Sequence, residues 1–89
     1  MGRVAIRYKI MCDPDADADA DAIAAAMESL ESEVGVVQMV ETKPLAFGIM
    51  FVEAHCVIVE GDGTLDAFED EIRAISGVGE IEVLQIGLI

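Results

Sequence analysis

The chain carries one histidine, two cysteines, five basic residues and no tryptophan among its 89 residues. Each scarcity removes a class of function. A lone histidine, His55, cannot pair with a second for acid–base chemistry or join a histidine cluster on zinc. The two cysteines, Cys12 and Cys56, stand far apart with no Cys-x-x-Cys spacing, and are expected as free thiols of a reducing compartment. Five basic residues against eighteen acidic ones leave a net charge of −13. A chain so acidic cannot gain affinity by releasing counterions from phosphates, so no direct nucleic-acid partner is expected. An anionic membrane surface is disfavoured for the same reason. No apolar run reaches the ~18 residues of a membrane span, and no basic leader precedes an apolar run, so no signal peptide is expected. The expected setting is cytoplasmic. The Asp-rich balance, with Lys9 and Lys43 the sole lysines, also suits salt adaptation, because screening relieves self-repulsion.

What is present is alternation. From Gly2 to Met11, Val4, Ile6, Tyr8 and Ile10 point one way, while Arg3, Arg7 and Lys9 point the other. A period of 2 with one apolar side predicts a strand with one wet face. The acidic run Cys12 to Asp21 follows, with Pro14 ending the strand and the carboxylates leading into a helix start. Ile23, Ala26, Met27 and Leu30 lie at helical spacing, which predicts a helix over 22–33 closed by Gly35 in a left-handed cap. Val36 to Thr42 reads as a second strand, broken by Pro44, after which a short connection over 44–48 turns the chain into the next strand. The stretch Lys43 to Glu60 then holds the longest apolar, β-branched run. Met50, Val52, Ala54, Cys56 and Ile58 share one side of it, opposite Glu53 and His55. It predicts a central strand. After Gly61-Asp62-Gly63, Thr64 is expected to cap a helix whose stripe is Leu65, Phe68, Ile72 and Ile75, stopped at Ser76-Gly77. Glu80 to Ile89 reads as the last strand.

The order β-α-β-β-α-β predicts a single α+β domain over 1–89, a ferredoxin-like two-layer sandwich with an antiparallel sheet in the order 4-1-3-2. The first and third strands are central. The expected core is Val4, Ile6, Tyr8, Val52, Ala54, Cys56 and Ile58 with the two helix stripes.

Few residues suggest chemistry. Asp17, Asp19, Asp21 and Glu28 stand at offsets 1, 3, 5 and 12 of a calcium loop, but Ala22 holds the position whose sharp turn needs glycine. The favoured reading is a solvated acidic helix start. Met11-Cys12 matches the opening of a heavy-metal loop, but Asp15 stands where the second cysteine belongs. Cys56 falls on the buried side and is expected to act as a small hydrophobe. His55 is expected as an exposed strand residue. Gly61-Asp62-Gly63-Thr64 precedes a helix as phosphate loops do, yet it lacks a lysine and is ringed by Asp62, Asp66, Glu69 and Asp70. No metal or cofactor is expected.

Pro44-Leu45-Ala46-Phe47-Gly48-Ile49, then Cys56-Val57-Ile58-Val59-Glu60, then Gly63-Thr64 opening an acidic helix, together resemble the translation elongation factor 1-beta family. The similarity is to the short archaeal form, which consists of the exchange domain alone, and it covers nearly the whole chain. It implies a guanine-nucleotide exchange factor that binds the GDP form of translation elongation factor 1-alpha and performs no bond chemistry itself. The family's basic residue at the carboxyl end has no counterpart here, where the sequence closes Gln85-Ile86-Gly87-Leu88-Ile89. The partner-binding residues expected from the resemblance are Pro44, Leu45, Ala46, Phe47 and Gly48, with Leu88 and Ile89 at the end. A structural alternative has Phe47 capping the core and Gly48 supplying a bulge. A runner-up function is a small-ligand regulatory module of the same fold that dimerises through sheet edges.

Overall fold

The computed structural model describes residues 2–13 and 19–89. Its elements are β1 (Arg3–Cys12), α1 (Ala20–Glu28), β2 (Gly35–Ala46), β3 (Ile49–Val59), α2 (Thr64–Arg73) and β4 (Val78–Leu88). The sheet runs β2-β3-β1-β4 with every neighbour antiparallel. This is the expected order, counted from the other edge. The two central strands are β1 and β3, which carry the sharpest alternation.

Register divides the sheet into two faces. On one, Ile6, Tyr8 and Ile10 lie opposite Cys56, Ala54 and Val52, and all are buried with Ile58. Both helices cover this face. Ile23 and Met27 from α1 and Phe68 and Ile72 from α2 complete the core, with Ala20 at the start of α1. Val4, expected in the core, is only half-buried, because it pairs with Leu88 near the end of the sheet where helix cover runs out. The Tyr8 ring stacks on Phe68 at 6.3 Å between centroids. Its hydroxyl donates to Glu69 Oε2 at 3.3 Å, so the polar tip of a buried ring is satisfied.

Several boundaries differ from expectation, each for a local reason. Helix α1 begins at Ala20, two residues earlier than expected, with the Asp19 carboxylate accepting from the Ala22 N–H at 2.7 Å. It ends at Glu28, five residues early. Ser32 there donates to Glu71 Oε2 at 2.6 Å and accepts from the Val34 N–H, so its hydroxyl holds an irregular turn against α2. Gly35 is therefore no helix cap but the first residue of β2. Thr64 is the first helical residue rather than the cap. Gly63 caps with φ 76°, and the Thr64 hydroxyl instead donates to the carbonyls of Val59 and Gly61. Pro44 does not break β2, which continues to Ala46. As an edge strand, β2 can place a residue lacking N–H where no ladder bond is lost. The expectations for Pro14, Asp15 and Asp17 lie outside the described residues.

Gly35 matters for space, not conformation. A Cβ built there would meet the Phe68 ring at 2.9 Å and Ile58 Cγ1 at 3.2 Å. Gly35→Ala should cost about 1–3 kcal/mol by overpacking, despite the usual gain of replacing glycine in a strand. Circular-dichroism melts are expected to shift down by several degrees. An unchanged midpoint would mean the ring swings aside freely.

Candidate functional site

The most unusual surface is a hairpin arm. Strands β2 and β3 stay paired through Pro44↔Met50 and Ala46↔Ile49, whereas β1 leaves β3 at Met11↔Phe51. The residues beyond that pair project as two strands alone. The turn is Phe47-Gly48, with φ 54° and 80°. Two successive positive φ values describe the tight turn that matches the twist of a hairpin. Glycine adopts this region freely, but phenylalanine does not, and a bulky residue there stores on the order of 1–3 kcal/mol. The Phe47 ring is 102% exposed. It caps no core, and Gly48 supplies a turn rather than a bulge. Leu45, Ile49 and Met50 beside it are exposed as well. A strained, fully solvated aromatic ring ringed by aliphatic side chains is a feature that stability alone does not favour.

The other predicted contact residues lie at the opposite end. Leu88 pairs with Val4, and the Ile89 N–H donates to the Arg3 carbonyl at 3.0 Å. Both side chains are exposed. Counting along β1 to Met11 and then up the arm, Leu88 and Phe47 stand about 35 Å apart at ~3.3 Å per residue. The long axis of the molecule is 42 Å. Pro44, Leu45, Ala46, Phe47 and Gly48 thus form one patch, and Leu88 and Ile89 form another; the fold does not bring them together.

Between the two ends, the face without helices carries Arg3, Arg7, Lys9 and Lys43, four of the five basic residues. Set among them is Glu53, buried at 4% exposure. Lys43 Nζ touches its Oε2; Arg7 Nε and His55 Nε2 lie 3.4 and 3.3 Å from its Oε1. The hydrogen bond from Lys43 holds the Glu53 carboxyl below its ordinary range and raises the Lys43 ammonium in return. Alternation placed Glu53 on the correct face but missed its burial. The available signal was the placing of Arg7, Lys9 and Lys43 around it on the same face.

Neither cysteine is poised as a nucleophile. Burial pushes the Cys56 thiol up to about 12, and burial followed by the Asp19 charge raises Cys12, so neither forms a thiolate readily. Asp19 is engaged as a helix cap. Asp21 and Glu28 stand near opposite ends of α1, about 10 Å apart along its axis at ~1.5 Å per residue, too far to wrap one cation. Among the described residues no three metal-ligating side chains converge, and no helix is long and apolar enough to cross a membrane.

Residues 5–89 match the family described as the EF-1 guanine nucleotide exchange domain. Among curated proteins, the chain is 31% identical over 89 residues to elongation factor 1-beta of Methanosphaerula palustris, covering 99% of each chain. It is 27% identical over 92 residues to elongation factor 1-beta of Thermoplasma acidophilum, covering all of both. It is 25% identical over 89 residues to the protein of that name from Methanospirillum hungatei, again over both full lengths.

Proposed function

The chain belongs to the EF-1 guanine nucleotide exchange domain family, and on that premise we propose that its hairpin arm is the element that loosens nucleotide on elongation factor 1-alpha. Its role is guanine-nucleotide exchange on that factor, and such a domain is not a catalyst of bond chemistry in the usual sense. The observation that carries the arm reading is Phe47, a ring held in a strained turn and left wholly in solvent. A large aromatic side chain desolvated at the centre of a contact is the usual hot spot of a protein interface. The arm presents Phe47 at its tip, with Leu45, Ile49 and Met50 as apolar flanks.

The mechanism is linkage. The chain binds the GDP form of its partner and favours the nucleotide-free state. The same coupling energy that tightens the complex without nucleotide then weakens GDP in it. The partner supplies the nucleotide and magnesium; this chain holds neither. Leu88 and Ile89 add an apolar contact at the far end. They cannot repel a magnesium ion, because they bring no positive charge. The setting is the cytoplasm, where translation occurs.

The test is stimulated release of labelled GDP from elongation factor 1-alpha of the same organism, with pull-down in the presence and absence of GDP. The chain should accelerate release at substoichiometric amounts and be retained best without nucleotide. Retention without any acceleration would overturn the exchange reading. The regulatory-module alternative has no observation in its favour.

A further inference from the structure

This inference rests on the reading of the hairpin arm given above. An isolated two-stranded ribbon twists and bends readily. A tip that must meet its partner in one orientation therefore needs a fixed root. The root lies where β1 leaves β3, at Met11↔Phe51, with Lys43 paired to the same Phe51 from β2. Ion pairing gathers at that point. Glu53, one step inside the root on β3, reaches Arg7 on β1 and Lys43 on β2. Lys43 also lies 3.7 Å from Glu41 on its own strand. Lys9, cross-strand from Glu53, sits over the Phe51 ring at 5.1 Å. Arg73, by contrast, pairs only along α2.

We propose that the Glu53-centred cluster fixes the direction in which the arm projects, so that Glu53 and Lys43 are positioning residues for nucleotide exchange. The carboxylate is nearly sealed from solvent, and its charge is matched by groups on both neighbouring strands. Such a contact is screened little by salt, unlike an exposed pair. Lys43 immediately precedes Pro44, so holding its ammonium holds β2 at the residue where the arm begins. The opposite face of the root carries no ionised side chain, with Thr42 and Val52 paired beside Ile10, and so adds no charge pairing there. Without the cluster the sheet persists, because the core lies on the other face, but the arm samples a wider cone. Docking then has to immobilise it, which lowers apparent affinity without removing any contact.

The test uses Glu53→Gln, which keeps the shape but loses the charge and turns one acceptor oxygen into a donor facing the cations, and Lys43→Met, at a half-exposed site where folding is not at risk. Residual dipolar couplings of the Phe47 and Gly48 amides are measured against those of the body of the sheet. In parallel, stimulated GDP release is compared in the native background and in Phe47→Ala, at concentrations where Phe47→Ala still stimulates. Both variants should reduce the tip couplings while sheet couplings stay put. Each should also slow release by about fivefold in the native background, and by less than twofold once Phe47 is gone, since groups acting through one another are non-additive. Unchanged tip couplings in both variants overturn the proposal. So do equal losses of rate in the two backgrounds, which would mark a general structural effect. Reduced couplings with release untouched would leave the root intact as a clamp but sever it from exchange, and would count against the reading of the arm itself.

Discussion

Phe47→Ala is expected to slow stimulated GDP release by about tenfold or more, equivalent to ~1.4 kcal/mol, while leaving the melting temperature in place. The two halves of that expectation come from one observation. The ring is 102% exposed, so its removal takes nothing from the core. The same exposure leaves its full apolar surface available to a partner. Phe47→Gly sharpens the case. With φ at 54°, glycine relieves the strain that phenylalanine stores there, so this variant should melt higher than the native chain while exchanging as poorly as Phe47→Ala. Stability and activity would then move in opposite directions at a single residue, the mark of a position kept for function.

The carboxyl end provides the counter-test. Removing Leu88 and Ile89 deletes one cross-strand pair and the bond from Ile89 to the Arg3 carbonyl, about 35 Å from the tip by strand rise. The loss of rate should be smaller than for Phe47→Ala. If the truncated chain is folded and inactive while Phe47→Ala is fully active, the working surface lies at the carboxyl end.

Alternation carried most of the fold. Tyr8, Ala54 and Cys56 sit where period 2 puts them, because the helices cover one face continuously and leave the other to Arg7 and His55. Topology followed from the order of elements and the handedness of crossovers. What the sequence did not display was set by contacts distant in the chain. Just past the end of α1, Ser32 is held by Glu71, 39 residues away. Pro44 looked like a breaker because its strand's place at the sheet edge was not visible locally. A connection over 44–48 was expected, but its form as a two-residue hairpin turn was hidden because phenylalanine stands where asparagine or aspartate would usually precede the glycine. That mismatch was itself the signal: a local rule broken in an otherwise consistent chain points to function. The separation of Phe47 from Leu88 needed register, which no local pattern contains.

Phe68→Ala is expected to destabilise the domain by about 3–5 kcal/mol, the usual cost of truncating a buried aromatic ring. Whole domains are stable by only roughly 5–15 kcal/mol, so the variant should unfold near the start of the denaturant range that the native chain survives. Phe68 is fully buried, stacks on Tyr8 and closes against Gly35, and its loss leaves a cavity that neither strand can collapse into. A shift in the urea midpoint worth less than ~1 kcal/mol would mean the helix settles onto the sheet and the packing is not specific. The cavity also predicts a reversal. In the native chain Gly35→Ala drives a methyl group into the ring; with the ring gone, the same methyl group meets only Ile58, at 3.2 Å, and partly fills the cavity. Gly35→Ala should therefore destabilise the native protein and stabilise Phe68→Ala, a coupling between contacting residues that a double-mutant cycle reads directly. If the two substitutions add, the 2.9 Å approach to the ring is not what keeps residue 35 a glycine.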